Sequence, residues 1–161
     1  MKANLFLVAG LTATLAACNQ NTAIGNDRKA QLDPPETAAP IMSAEAALGN
    51  VSTAIIKPET MSDADLRALG PNADECLFRL TEVSYPALAF RDGDGATIKL
   101  NGKLIPLEAA GPDQFMSGEL RVNLRTLDYE GDAGMTGMEM VVVPPGAEDE
   151  LGYHGFRDCS S

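Results

Sequence analysis

The chain has 161 residues, room for one domain plus accessory segments, and 45% of them are hydrophobic. It carries 23 acidic residues against 12 basic ones, a formal charge of −11. No Lys/Arg cluster is present to neutralise phosphates, which argues against nucleic-acid binding, and the single histidine, His154, excludes a multi-histidine metal site.

Residues 1–17 read as a secretory signal. Lys2 supplies a positive start, Leu5 to Leu15 is an apolar run too short to span a bilayer, and Ala16-Ala17 puts small residues before Cys18. Leu15-Ala16-Ala17-Cys18 resembles the lipobox of bacterial lipoproteins. That resemblance implies that Cys18 takes lipid, palmitate included, and becomes the mature N-terminus; the alternative is an ordinary signal followed by a chance cysteine. Asn19 behind the cysteine implies, by the same resemblance, sorting to the Gram-negative outer membrane. Without Lys2 the mature chain has 11 basic against 23 acidic residues, a charge of −12, so lipid rather than a basic patch would hold the membrane. The acidic balance suits a cationic partner, and it also suits plain solubility.

Residues 18–60 read as the lipidated cysteine and a flexible tether. Asn19 to about Met42 is rich in Asn, Gln, Thr, Ala and Pro, with Asp33-Pro34-Pro35-Glu36 in its middle and no periodicity. Such a chain has a root-mean-square reach of roughly 25–30 Å. Ser43 to Leu48 allows one helical turn. Residues 61–75 read as a short helix and a connection: Ser62 caps, Asp65 stands in for the capping-box Glu, Met61 staples onto Leu66, and Gly70-Pro71 ends the run. With so few apolar residues, this helix is expected to lie as a lid on a larger body.

From residue 76 to 159 the pattern is β. Cys76 to Val83 and Ala87 to Arg91 alternate as strands, and Asp92-Gly93-Asp94-Gly95 turns between elements. Asn101-Gly102, flanked by alternating apolar residues, predicts a two-residue type I′ hairpin, because both central positions need φ > 0. That turn sets Leu100 opposite Lys103, Ile98 opposite Ile105 and Ala96 opposite Leu107. Ile98, Leu100, Ile105 and Leu107 then share an apolar face, with Thr97, Lys99 and Pro106 on the other. Pro106 cannot donate to a further strand, so Leu104–Leu107 is expected to be an edge or to end there. Leu120, Val122 and Leu124 alternate inward on a strand from Gly118 to Leu127. Met138 to Val143 is dense enough to be buried on both faces, and Tyr153 to Cys159 is a last short strand. Strands this short, separated by Gly-rich turns, predict a mainly β fold: a small antiparallel barrel or sandwich.

With Cys18 lipidated, Cys76 and Cys159 remain as an even pair in an oxidising compartment and are expected to form a disulfide; the alternative is two separate buried thiols. Asp128, Glu130, Asp132 and Glu139 fall at loop positions 1, 3, 5 and 12 of an EF-hand-like calcium site. Ala133 replaces the glycine of position 6, and the flanks read as strands. The two readings are a calcium loop and an acidic, solvated hairpin loop. No other cofactor is implied, and there is no G-x-S-x-G elbow, H-E-x-x-H or Walker loop.

Cys76, the Ala96–Gly102 hairpin, Ser117-Gly118 and Cys159 together resemble the membrane-bound inhibitors of c-type lysozyme, over roughly half the chain. The resemblance implies a small lipid-anchored antiparallel barrel with a bridge to the C-terminus, and Ser117 as the inhibitory residue, with Gly118 and Lys103 as further binding candidates. Leu120 and Arg121 stand where that family has a loop tyrosine, and Glu75 where it has a tyrosine before the first cysteine. The other reading of Ser117 and Lys103 is a turn serine and a hairpin-tip lysine. The functional expectation is a non-catalytic binding module of the cell envelope with a periplasmic or envelope protein partner; the alternative is a structural lipoprotein acting only through assembly contacts.

Overall fold

The structure, a computed structural model, describes residues 35–70 and 75–159. Eight strands follow in order: β1 (Cys76–Arg79), β2 (Pro86–Arg91), β3 (Gly95–Leu100), β4 (Lys103–Gly111), β5 (Gln114–Ser117), β6 (Leu120–Glu130), β7 (Thr136–Val143) and β8 (Leu151–Cys159). Each pairs antiparallel with the next, and β8 returns to β1, so the sheet closes into an up-and-down barrel. Closure leaves no free edge at either end of the strand order, which is why a barrel rather than a sandwich results.

Alternation fills the barrel with side chains. Phe78, Leu88, Phe90, Ile98, Leu100, Ile105, Phe115, Leu120, Val122, Met138, Met140 and Val142 are each at most 1% exposed. The exposed Arg121 and Arg125 lie on the outside. An apolar interior is the opposite of the polar lumen of a barrel that spans a membrane. The expected double-sided burial of Met138–Val143 is found on one face only: Met138, Met140 and Val142 are buried while Glu139, Val141 and Val143 are half-exposed.

The Asn101-Gly102 hairpin has the predicted geometry, with φ of 46° and 71° and Leu100 opposite Lys103. The expectation that Leu104–Leu107 is an edge or ends there is not met: β4 runs on through Pro106 to Gly111 and pairs with β5, since the missing N–H of Pro106 leaves its pairing with Thr97 of β3 intact. On the side of β4 away from β3, the Leu104 N–H donates to Pro40 O and the Met42 N–H donates to Leu104 O, both at 3.0 Å. The pairing stops after that one bridge, and β5 joins β4 only from Glu108 onward. β5 escaped the sequence reading because Phe115 is its only large inward residue, too little to show a period of two.

Residues 36–60, assigned to the tether from composition, instead pack on the barrel. Helix α1 (Ala44–Leu48), a 3₁₀ turn at Thr53–Ile55 and Ile56 form a strap whose Ala44, Leu48 and Ile56 join the barrel core. The strap is tied to the hairpin tip: Lys57 N–H donates to Asn101 Oδ1 at 2.9 Å, and Asn101 Nδ2 donates to Ile55 O at 3.0 Å. Low hydrophobicity misled the composition argument, because a few apolar residues at the right spacing close the barrel mouth.

Helix α2 (Asp63–Leu69) has the predicted capping box, with Ser62 and Asp65 satisfying each other's backbone N–H groups. It acts as the expected lid. Met61, Leu66 and Leu69 cover Leu77, Ala89 and Leu104, making a second apolar cluster on the outer face of the barrel. Asp65 is fully buried beneath it. Its carboxylate accepts from Ala39 N (2.6 Å), Ser62 N (2.8 Å) and Lys99 Nζ (2.7 Å). Burial works to raise the Asp65 pKa, but the Lys99 ammonium and the two backbone donors outweigh it and hold the carboxyl below its ordinary value. Cys76 and Cys159 face each other across β1 and β8 and are bonded, which staples the seam where the barrel closes.

Candidate functional site

A barrel filled with side chains offers its surface, not its interior, to partners. Ser117 ends β5, and Gly118 (φ 58°) and Glu119 turn the chain into β6. The positive φ explains the glycine. Grooves open on both sides of this turn. One, of about 530 Å³, runs between Ser117–Glu119, the α1 residues Glu45 and Leu48, and Pro145. The other, of about 550 Å³, has Pro106 and Leu107 as neighbours of Ile41, Met116 and Ser117. Ile41 and Met116 are 52% and 38% exposed. The charged residues lining the two grooves are Glu45, Glu119 and Glu108, all acidic.

Ser117 differs from a free turn serine. It is half-buried, and the Ala44 N–H at the start of α1 donates to its Oγ at 3.5 Å. Lys103 is not brought beside it. Met116 sits opposite Glu108, so Ser117 falls level with Leu107, four residues and about 13 Å along β4 from Lys103. The groove residues Ile41, Glu45 and Leu48 were missed from sequence because they lie in the stretch assigned to the tether. The only signal was the i, i+4 spacing of Ala44 and Leu48.

The four acidic loop residues do not converge. Asp128, Glu130 and Asp132 are exposed, whereas Glu139 lies within β7, paired with Arg125 of β6 and 3.6 Å from His154 Nε2 of β8. The loop is held by other means. The Asp132 and Ala133 N–H groups donate to the two oxygens of Glu82, at 2.9 and 2.7 Å. Tyr129 folds over Gly137 and meets Phe156 edge-on. Among the described residues, no group of three or more His, Cys, Asp or Glu is placed to hold a metal. Cys18, the expected lipidation site, lies outside the described residues. No described helix is long and apolar enough to cross a membrane.

No curated protein and no solved structure matches the chain. Residues 14–161 match the family model described as Domain of unknown function (DUF6692), and the chain, matched over nearly its whole length, belongs to that family.

Proposed function

We propose that this protein is a cell-envelope lipoprotein, anchored through Cys18, whose barrel is a non-catalytic binding module for a basic protein of the c-type lysozyme class. The observation that carries the reading is the Ser117-Gly118 turn standing between two grooves whose charged lining residues are all acidic. The mature chain's formal charge of −12, 11 basic against 23 acidic residues, adds long-range attraction for a cationic partner. The packed interior supports a surface-binding role, since small-ligand barrels keep a cavity.

Titration against c-type lysozyme at physiological salt tests it. Inhibition should persist there and weaken in Ser117→Ala, whereas attraction by charge alone fades as salt rises. Binding lost on adding salt, together with an unaffected Ser117→Ala, refutes the inhibitor reading. Palmitate labelling of wild type and not of Cys18→Ser tests the anchor. A second reading, a structural lipoprotein acting through assembly contacts, draws on the Ala44 N–H that already occupies Ser117 Oγ. Under it, no lysozyme inhibition is measured at any salt concentration.

A further inference from the structure

Arg157 stands in β8 beside the bridge that closes the barrel. Its Nε donates to Cys159 Sγ at 2.9 Å and its Nη2 to Cys76 Sγ at 3.5 Å. The guanidinium is held there from two further sides. Nη2 also donates to Asp92 Oδ2 at 3.1 Å, and the guanidinium carbon lies 5.5 Å from the centre of the Phe90 ring. A bridged sulfur is a weak acceptor, so these contacts gain little while the disulfide is intact. They gain far more when a sulfur carries the negative charge of a thiolate, which a fixed guanidinium stabilises. Asp92 cancels only part of that effect, since its side chain is 63% exposed and water screens it. The two sulfurs are also unequal: Cys159 is exposed and Cys76 is buried.

We propose that the Cys76–Cys159 bridge is a thiol-exchange site, reducible by a dithiol, with Arg157 stabilising the departing thiolate. An incoming thiolate attacks the exposed Cys159 Sγ and forms a mixed disulfide with it. The Cys76–Cys159 bond breaks, and its electron pair goes to Cys76 Sγ, which leaves as a thiolate beside Arg157 Nη2. The second thiol of the reductant, deprotonated, then attacks its own sulfur in the mixed disulfide. That closes the reductant's disulfide and releases Cys159 as a thiolate beside Arg157 Nε. Two electrons pass from the dithiol to the bridge, and the dithiol's two protons pass to solvent or to the two cysteines. Exchange is faster the more stable the leaving thiolate. Because the bridge joins the first residue of β1 to the last of β8, reduction unfastens the seam where the barrel closes. None of this depends on Ser117 or on a lysozyme partner.

The test uses the oxidised protein with Cys18 blocked by lipid or by alkylation. Dithiothreitol and a reduced Cys-x-x-Cys protein are supplied separately, and the faster of the two tells a small dithiol from a protein one. Both should reduce Arg157→Met at least about tenfold more slowly than wild type, and Arg157→Lys should recover part of the rate. An arginine that only packs over the bridge predicts the reverse, because its removal uncovers the sulfurs. An oxidised Arg157→Met that melts cooperatively and is reduced as fast as wild type, or faster, overturns the proposal. A second measurement needs only wild type: brief exposure to glutathione, quenching with iodoacetamide, and peptide mapping. Glutathione should be found on Cys159 and the alkyl group on Cys76. Glutathione on Cys76, or on neither cysteine, overturns the proposal whatever the variants do.

Discussion

Replacing Asp65 by alanine removes the acceptor that three donors share beneath α2. Ala39 N, Ser62 N and Lys99 Nζ all point at its carboxylate, and Asp65 is fully buried. The Lys99 side chain, only 14% exposed, is left with little water to replace its partner. Breaking a buried pair from one side costs about 3–5 kcal/mol. Partial solvation of Lys99 places the expected loss near the lower figure, about 3 kcal/mol, or roughly 10 °C of melting temperature for a domain of this size. Lys99→Met should cost less, about 1–2 kcal/mol, because two backbone donors still hold the carboxylate. The pH dependence has a definite sign. The Asp65 pKa in the fold lies below its ordinary 3.8, so between those values the unfolded chain binds more protons and stability rises with pH. The contribution is complete above about pH 3.8 and is lost as pH falls through the folded value. Urea denaturation of wild type, Asp65→Ala, Asp65→Asn and Lys99→Met across pH 2–7 measures this. An Asp65→Ala loss under about 1 kcal/mol, or a Lys99→Met loss as large as that of Asp65→Ala, refutes the reasoning.

Leu48→Ala should cost about 2–4 kcal/mol, since Leu48 is 3% exposed against the barrel core; a loss below about 0.5 kcal/mol in thermal denaturation would mean the strap is not seated. Asn101→Ala should lower stability by about 2 kcal/mol, through a strained φ of 46° and two lost bonds to the strap, and should expose residues 50–60 to limited proteolysis. Cys76→Ser should cost up to about 4.5 kcal/mol by the chain-entropy model for a separation of 83 residues, read from the urea midpoint against oxidised wild type. Gly155→Ala and Gly137→Ala should part company. At Gly155 an added methyl meets the Arg79 carbonyl and the buried Phe78 ring, and the protein should lose its cooperative melt; at Gly137 it meets the partly exposed Tyr129 ring at 2.6 Å, which can swing aside at a loss of about 1 kcal/mol.

The parts of this protein that the sequence determined are those set by neighbours in the chain. Asn101-Gly102 tolerates positive φ at both positions, and two-residue turns fix register, so the pairing from Ala96–Leu107 to Leu100–Lys103 was legible. The Ser62–Asp65 capping box and the inward Leu120, Val122 and Leu124 are equally local. The candidate turn Ser117-Gly118 was legible as a turn, but not as half-buried.

What only the tertiary structure decided involves residues far apart in sequence. Barrel was separated from sandwich by β8 meeting β1, a pairing that joins Cys76 to Cys159 and leaves no trace in alternation. Residues 36–60 were read as tether because burial of Ala44, Leu48 and Ile56 depends on a barrel mouth that those residues do not themselves encode. Asp65 looked like a helix cap and no more. Ala39, 26 positions before it, and Lys99, 34 after it, turn that cap into a buried anchor. Glu139 fits a calcium-loop spacing on paper, but β7 carries it toward Arg125 and His154, because strand pairing, not loop position, sets where a strand residue stands.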